Sequence, residues 1–248
     1  MGVGSITPHR LHSRPMTNIL ITGSSRGIGA AIAAALAQAP DVTVVGHGTA
    51  TGIAADFTDQ VAVDTLWTSA LEQCGGRIDV LINNAGIFEA NPLDAADDAW
   101  LAAWERTLRV NLTAAATLSR HAVRHWQGGA GGGRLVNIAS RAAYRGDSPA
   151  HWHYAAAKAG MVAMTKTIAR GYAREGILAF AICPGFTMTG MAEDYLASRG
   201  GDRLLADIPL GRVAQPEEVA AAARFLALEA PASMTGAVLD INGASYVR

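Results

Sequence analysis

The chain has little of what marks a secreted, membrane or nucleic-acid-binding protein. Only two of its 248 residues are cysteine. Cys74 and Cys183 lie far apart and fit no metal-ligand spacing, so a reduced, cytoplasmic setting is the expectation. No apolar run approaches the ~18 residues of a membrane span. Net charge is −1 with no long basic run, which argues against an electrostatic nucleic-acid partner. Charged residues make up 17% and apolar residues 50%, a balance that buries a sizeable core and excludes general disorder. The first 16 residues carry His9, Arg10, His12 and Arg14 but no apolar stretch, unlike a secretory signal. They read as a flexible basic extension, with Met16 a candidate start, ahead of one domain over residues 17–248.

What is present is an alternation of strand-length apolar runs and longer helical patterns. Strands are expected at Asn18–Thr22, Val42–Gly46, Val80–Asn83, Arg134–Ala139, Ile177–Cys183 and Ala237–Ile241. Helices are expected at Gly29–Ala39, Val61–Gln73, Trp100–Trp126, Tyr154–Arg174 and Pro216–Leu228, the last with proline at its first position. Gly128–Gly133 is a glycine-rich turn. Nearly all-apolar strands separated by helices imply a parallel sheet covered on both faces, hence a single doubly wound α/β fold of Rossmann type.

The residues that carry chemistry begin with Tyr154 and Lys158, four apart on one helix face. A free tyrosine, with pKa near ~10, is a poor base at neutral pH. A lysine ammonium at roughly 4 Å, in an effective dielectric of ~20, favours the phenolate by on the order of 4 kcal/mol. The pair is therefore expected to bring the phenol toward neutrality. Directly after the first strand stands Thr22-Gly23-Ser24-Ser25-Arg26-Gly27-Ile28-Gly29. Glycines at a strand-to-helix junction allow a tight turn and let backbone N–H groups reach a pyrophosphate at the helix N-terminus.

The glycine spacing is Gly-x-x-x-Gly-x-Gly, and it is followed in order by Asn83-Asn84-Ala85-Gly86, Ser140 and Tyr154-x-x-x-Lys158. In these four motifs, from about Asn18 to the C-terminus, the chain resembles the short-chain dehydrogenase/reductase family, most closely its 3-oxoacyl-carrier-protein reductase-like branch. The resemblance implies hydride transfer between a nicotinamide cofactor and a ketone or secondary alcohol. It assigns Asn111, Ser140, Tyr154 and Lys158 to catalysis: Tyr154 as proton donor, Ser140 as hydrogen-bond donor to the same oxygen, and Lys158 at the nicotinamide ribose. Asn111 is a mediocre helix residue, consistent with a distortion that holds a water linking Lys158 to solvent. The cofactor contacts it implies are Gly23, Ser25, Arg26, Gly27, Ile28, Gly29, His47, Asp56, Phe57, Asn83, Ala85 and Gly86, with Tyr154 and Lys158, and Pro184, Gly185, Thr187 and Thr189 flanking the nicotinamide. Asn83 is alternatively a tie between central strands. Met188–Leu210 reads as a mobile substrate lid.

No carboxylate ends the second strand, where Val44-Val45-Gly46-His47-Gly48-Thr49 stands, and Asp41 lies at its wrong end. With Arg26 in the glycine loop and His47 and Thr49 near, NADP(H) is the expected cofactor, NAD(H) the alternative. Asp56 matches a position that binds the adenine amino group. Gly46–Ala55 is too short for the helix and strand the family places there, so the helix is expected to be missing and Ile53–Ala55 to form a short strand. The N-terminal extension is a candidate cover for the gap.

Other polar residues are open to two readings each. His121 and His125 have metal-ligand spacing but no third ligand. His151, Trp152 and His153 are placed to line the substrate mouth. Arg141 and Arg145 suit an anionic substrate, and Arg120, Arg124, Arg170 and Arg174 an acidic carrier protein, or all of these simply meet solvent. The expected partners are a small carbonyl or alcohol substrate and further copies of the chain, as a tetramer or dimer packed through the alanine-rich long helices. Neither nucleic acid nor membrane is expected. The rival activities are an NAD-dependent sugar, polyol or other secondary-alcohol dehydrogenase and, in another class, a non-catalytic nucleotide-binding regulator.

Overall fold

A computed structural model describes residues 16–48, 52–189 and 201–248, without the side chains of residues 130 and 202–204. Six strands form one parallel sheet in the order β2-β1-β3-β4-β5-β6. They are β1 (Thr17–Thr22), β2 (Val42–His47), β3 (Val80–Asn83), β4 (Gly133–Ile138), β5 (Ile177–Pro184) and β6 (Val238–Ile241). Period-two alternation divides the core between the faces. Ile19, Ile21, Ile82, Val136, Phe180 and Ile182 pack toward α1 (Gly27–Ala37) and the late helix Pro216–Leu228. Leu20, Leu81, Leu135 and Ala179 pack toward α2 (Gln60–Gln73) and the long helices of the opposite layer. This is the expected doubly wound fold, and the strand order reverses between β1 and β3. Ligands of such sheets bind at the carboxyl ends beside that reversal.

The expected long helix Trp100–Trp126 is not continuous. It starts earlier, as α3 (Asp97–Leu108), with Asp97 and Asp98 favourably placed in the first turn. A π-turn over Arg109–Thr113 follows, then α4 (Ala114–His125). In the π-turn the N–H of Ala114 bonds to the carbonyl of Arg109. A short helix, α5 (Ala142–Arg145), follows β4 and was not evident from periodicity, since four residues carry no period. The chain continues through α6 (Trp152–Tyr172), α7 (Gly201–Ala206) and α8 (Pro216–Leu228).

Among the described residues no helix lies between β2 and α2, in line with the short spacing. The strand expected at Ile53–Ala55 is reduced to one parallel bridge between Ile53 and His47. The chain doubles back too tightly for a ladder: the N–H of Ile53 reaches the carbonyl of Gly46 at 2.8 Å. Gly52 has φ +81°, and a Cβ there would stand 2.0 Å from that same carbonyl oxygen, so the turn requires glycine. Residues 1–15 of the N-terminal extension and residues 190–200 of the expected lid lie outside the described residues.

Candidate active site

The glycine loop is shaped by close backbone approach. A Cβ on Gly29 would lie 2.0 Å from the carbonyl oxygen of Gly23, and one on Gly23 would lie 2.8 Å from Cα of Ala85. Arg26 occupies the N-cap of α1 without capping it, and no acidic residue stands in the first turn. The first N–H groups of α1 are therefore left for an external acceptor. Gly27 faces the segment after β5: its Cβ position is 3.1 Å from Cγ2 of Thr189. Arg26 is exposed and forms no ion pair with any described residue. Ser25 and Ile28 are half-buried beside it.

Two residues that sequence reasoning did not single out hold this loop against β3. The Thr22 hydroxyl accepts from the N–H groups of Asn84 and Ala85, both at 3.0 Å. The Asn84 amide donates to the carbonyls of Thr22 and Gly23, again at 3.0 Å. Both residues stand within the motifs, so their position was visible but their task was not. Asn83 faces the other way. Its amide donates to Asn137 Oδ1 at 2.9 Å and Ser119 Oγ at 3.1 Å, and it is buried. It ties β3 to β4 and α4, so its expected cofactor contact gives way to the strand-tie alternative, because alternation along β3 points it to the α4 face.

His47 is likewise turned inward. Its Nδ1 accepts from the N–H of Gly23 at 3.2 Å, and its Nε2 pairs with the carbonyl of Ala55 at 3.0 Å. The ring is buried and stacks on Phe57 with centroids 4.3 Å apart. Both nitrogens are used inside the protein, so the expected phosphate contact from His47 falls away. Asp56 lies exposed next to this stack, its carboxylate accepting from the N–H of Thr58 at 2.8 Å, which holds its pKa below the usual value.

Ser140, Tyr154, Lys158 and Asn111 converge at the carboxyl ends of β4 and β5. Ser140 follows β4, with its loop tied to the end of β5 by a 2.9 Å bond from the Arg141 N–H to the carbonyl of Pro184. Tyr154 and Lys158 lie in the first two turns of α6, with Lys158 Nζ 5.8 Å from the Tyr154 ring centroid. Nζ donates to the carbonyl of Ile138 at 2.8 Å and is buried. Desolvation pushes Lys158 down to about 8. It pushes Tyr154 up to about 12, against a hydrogen bond with the Ser140 side chain that pulls it down. The direction is opposite to the expectation of a phenol brought toward neutrality by its lysine: burial raises it. At pH 7 the phenol keeps its proton, the form a general acid needs.

Asn111 sits in the π-turn, fully buried. Its Oδ1 accepts from the N–H of Ile87 and its Nδ2 donates to the carbonyl of Ile87, both at 2.8 Å. A Cβ on Gly86 would be 3.2 Å from that Oδ1 and 3.6 Å from Lys158 Nζ. The distorted helix thus fixes the backbone that borders the lysine. Phe88 stands edge-on to Tyr154 at 4.8 Å and stacks on His151 at 4.0 Å. Through Phe88, His151 adjoins Tyr154, whereas the exposed Trp152 meets Trp100 and His153 is buried against Trp104. After β5, Gly185 packs on Asn242, and Thr187 is buried with its hydroxyl on the carbonyl of Gly185 at 3.2 Å.

Four of the remaining polar residues have local partners. Arg145 and Arg141 share Asp207, at 2.6 and 3.4 Å. His121 pairs with Asp64 at 2.6 Å, and His125 accepts from the N–H of Ile78 at 3.2 Å. No group of three candidate metal ligands occurs among the described residues. Arg120, Arg124, Arg170 and Arg174 are exposed. No helix among the described residues is long and apolar enough to cross a membrane. Cys183 is buried beside the site, its thiol pushed up to about 11 by burial, so it is inert as a nucleophile.

Comparison with known proteins agrees with this geometry. A family model described as enoyl-(acyl carrier protein) reductase matches residues 23–244. The chain is 36% identical to cis-4-hydroxycyclohexanecarboxylate dehydrogenase of Sinomonas cyclohexanicum, over 90% of this chain and 94% of that one. It is 37% identical to 3-oxoacyl-[acyl-carrier-protein] reductase of Synechocystis sp., over 90% and 94% of the two chains. The solved structure titled gox2181 superposes with a TM-score of 0.84 at 26% identity, covering 94% of this chain and 96% of that one.

Proposed function

The chain belongs to the short-chain dehydrogenase/reductase family and is an oxidoreductase of carbonyl and CH–OH groups with a nicotinamide cofactor; we propose that it works as an NADPH-dependent reductase of ketones, of the 3-oxoacyl type. The observation that carries the reading is the convergence of Tyr154, its Ser140 neighbour and Lys158 at the strand ends.

The residues fit the cofactor. The glycine loop is a cradle that a single Cβ at Gly29 would fill, and the uncapped start of α1 offers N–H groups to a pyrophosphate. Arg26 is free of ion pairs with described residues, and no carboxylate ends β2; both favour a 2′-phosphate over a bare ribose. Lys158 and Asn111 border the ribose side, and Thr189 with Pro184 and Gly185 the nicotinamide side. When bound, the cofactor supplies a hydride to the carbonyl carbon. Tyr154 gives its proton to the carbonyl oxygen as negative charge develops there, and Ser140 donates a hydrogen bond to the same oxygen. Lys158 holds positive charge beneath the phenol, and Asn111 keeps the Ile87 backbone and the adjoining lysine in register.

A ring-bearing secondary alcohol is the second reading, favoured by the apolar edge of Phe88 against Tyr154 and by the ring substrate named for the Sinomonas relative. Initial rates with NADPH and NADH on a 3-oxoacyl thioester and a cyclic ketone, and with NADP+ and NAD+ on an open-chain polyol, test both. The first reading expects NADPH and the thioester to win. A preference for NADH would refute the Arg26 argument, and preference for the cyclic ketone would favour the second reading. Self-association through the alanine-rich α4 and α6 into a tetramer is also proposed; light scattering that finds a monomer rejects it.

A further inference from the structure

His47 stands where the chain departs most from a complete α/β unit. Between β2 and Asp56 the described residues hold no helix, and the His47 imidazole lies between the glycine loop and the segment around Asp56. Its ring makes three contacts to two segments. Nδ1 takes the N–H of Gly23, the residue that opens the glycine turn with φ +68°. Nε2 meets the carbonyl of Ala55, immediately before Asp56. The flat face lies on Phe57, 6° from parallel. The backbone joins in: the carbonyl of His47 accepts from the N–H of Ser24 at 2.8 Å and from its hydroxyl at 3.2 Å.

We propose that His47 is a positioning residue for cofactor binding, a strut that replaces the missing helix by fastening the glycine loop to the adenine-side segment, and that it does so only as the neutral Nε2–H tautomer. This rests on the reading of the glycine loop as the pyrophosphate site. The tautomer follows from the partners. A backbone N–H at Nδ1 requires a lone pair there, and a backbone carbonyl at Nε2 requires a proton there. A protonated ring would turn an N–H toward the N–H of Gly23 and push that end of the loop away.

Among the described residues no charged group compensates such a change. From the segment after β2, the Asp56 carboxylate is turned to Thr58. From the glycine loop, Arg26 is exposed at the N-cap of α1. From β1, the neighbouring Thr22 is neutral and bound to Asn84 and Ala85. Burial holds the His47 pKa below the ordinary 6.5, the Ala55 carbonyl opposing it less strongly. The sign is therefore that of a depressed basic group: the arrangement is intact above the ordinary histidine range and fails as pH falls through the lowered folded value.

The test is cofactor affinity of the full chain for NADH and NADPH at pH 7.5 and 5.0, read by protein fluorescence, for wild type, His47→Asn and His47→Phe. Phenylalanine keeps the stack and loses both hydrogen bonds; asparagine keeps an acceptor near Nδ1. His47→Phe is expected to bind about tenfold more weakly or worse at pH 7.5, and His47→Asn within about threefold of wild type. Acidification should weaken wild type more than His47→Asn. The cofactor's 2′-phosphate titrates in the same range, so NADH and the difference between variants carry the pH readout. Ring nitrogen chemical shifts of wild type should show Nε2–H at neutral pH whether or not the variants fold. A His47→Phe protein binding like wild type at both pH values, or a ring with its proton on Nδ1, overturns the proposal alone. Wild type that binds neither cofactor at pH 7.5 overturns the pyrophosphate-site reading, and the proposal with it.

Discussion

Replacing Asn111 by alanine should cost both stability and turnover, and the size follows from two hydrogen bonds. The amide serves the N–H and the carbonyl of Ile87 at 2.8 Å each, with the side chain fully buried. Alanine leaves both backbone groups unpaired away from solvent, at about 1–3 kcal/mol apiece. A water entering the vacated space offsets part of this, so the net loss is on the order of 3 kcal/mol. In a chain of this length that lowers Tm by about 6–12 °C. Differential scanning calorimetry reads the stability, and NADPH oxidation below the new Tm reads kcat. A drop in kcat is expected as well, because the freed Ile87 backbone adjoins Gly86, whose Cβ position lies 3.6 Å from Lys158 Nζ. Asn111→Asp should fare no better than alanine: it keeps the acceptor for the Ile87 N–H but sets a second oxygen against the Ile87 carbonyl. A Tm within about 1 °C of wild type for Asn111→Ala would refute the reasoning, since it would mean the two bonds carry no net stabilisation.

Arg26→Ala should raise the Kd for NADPH by about tenfold while leaving that for NADH nearly unchanged, as expected for loss of one charge-assisted phosphate contact; equal effects on both cofactors would place the 2′-phosphate elsewhere. Glu218, bound to Arg212 at 2.7 and 3.0 Å and to the N–H of Gln215, is held down to about 2. Its folded pKa is depressed, so its contribution is present above the ordinary value of 4.5 and lost as pH falls toward about 2. Thermal melts of wild type and Glu218→Gln should therefore differ at pH 6 and converge by pH 2; a gap that persists in acid contradicts this.

Much of the site was legible because its chemistry needs residue types at fixed spacings. The glycine turn, Ser140 and the Tyr154–Lys158 pair are local patterns, and the π-turn was foreshadowed by an asparagine in a helix. The task of Asn84 was not legible and that of Asn83 stood between two readings, because adjacent residues of one type point to opposite faces at a strand end and only the register shows which. The direction of the phenol's pKa was not legible for a related reason: the spacing displays the lysine's charge, whereas burial, which raises the phenol, is a property of the packed site. His47 read as a phosphate ligand because a histidine after β2 displays its charge chemistry and conceals its two backbone partners. The short spacing before Asp56 revealed a missing helix but not what fills the gap. α5 lay below the length at which periodicity carries information.

The central claim is that Tyr154 protonates the reacting oxygen. It is tested most directly by single-turnover hydride transfer in Tyr154→Phe, with NADPH bound and a ketone that wild type reduces. Phenylalanine preserves the edge-on contact with Phe88 and removes only the hydroxyl. The account predicts unchanged cofactor affinity and a rate lower by roughly 10²–10⁴-fold. A transfer rate within about twofold of wild type would contradict it.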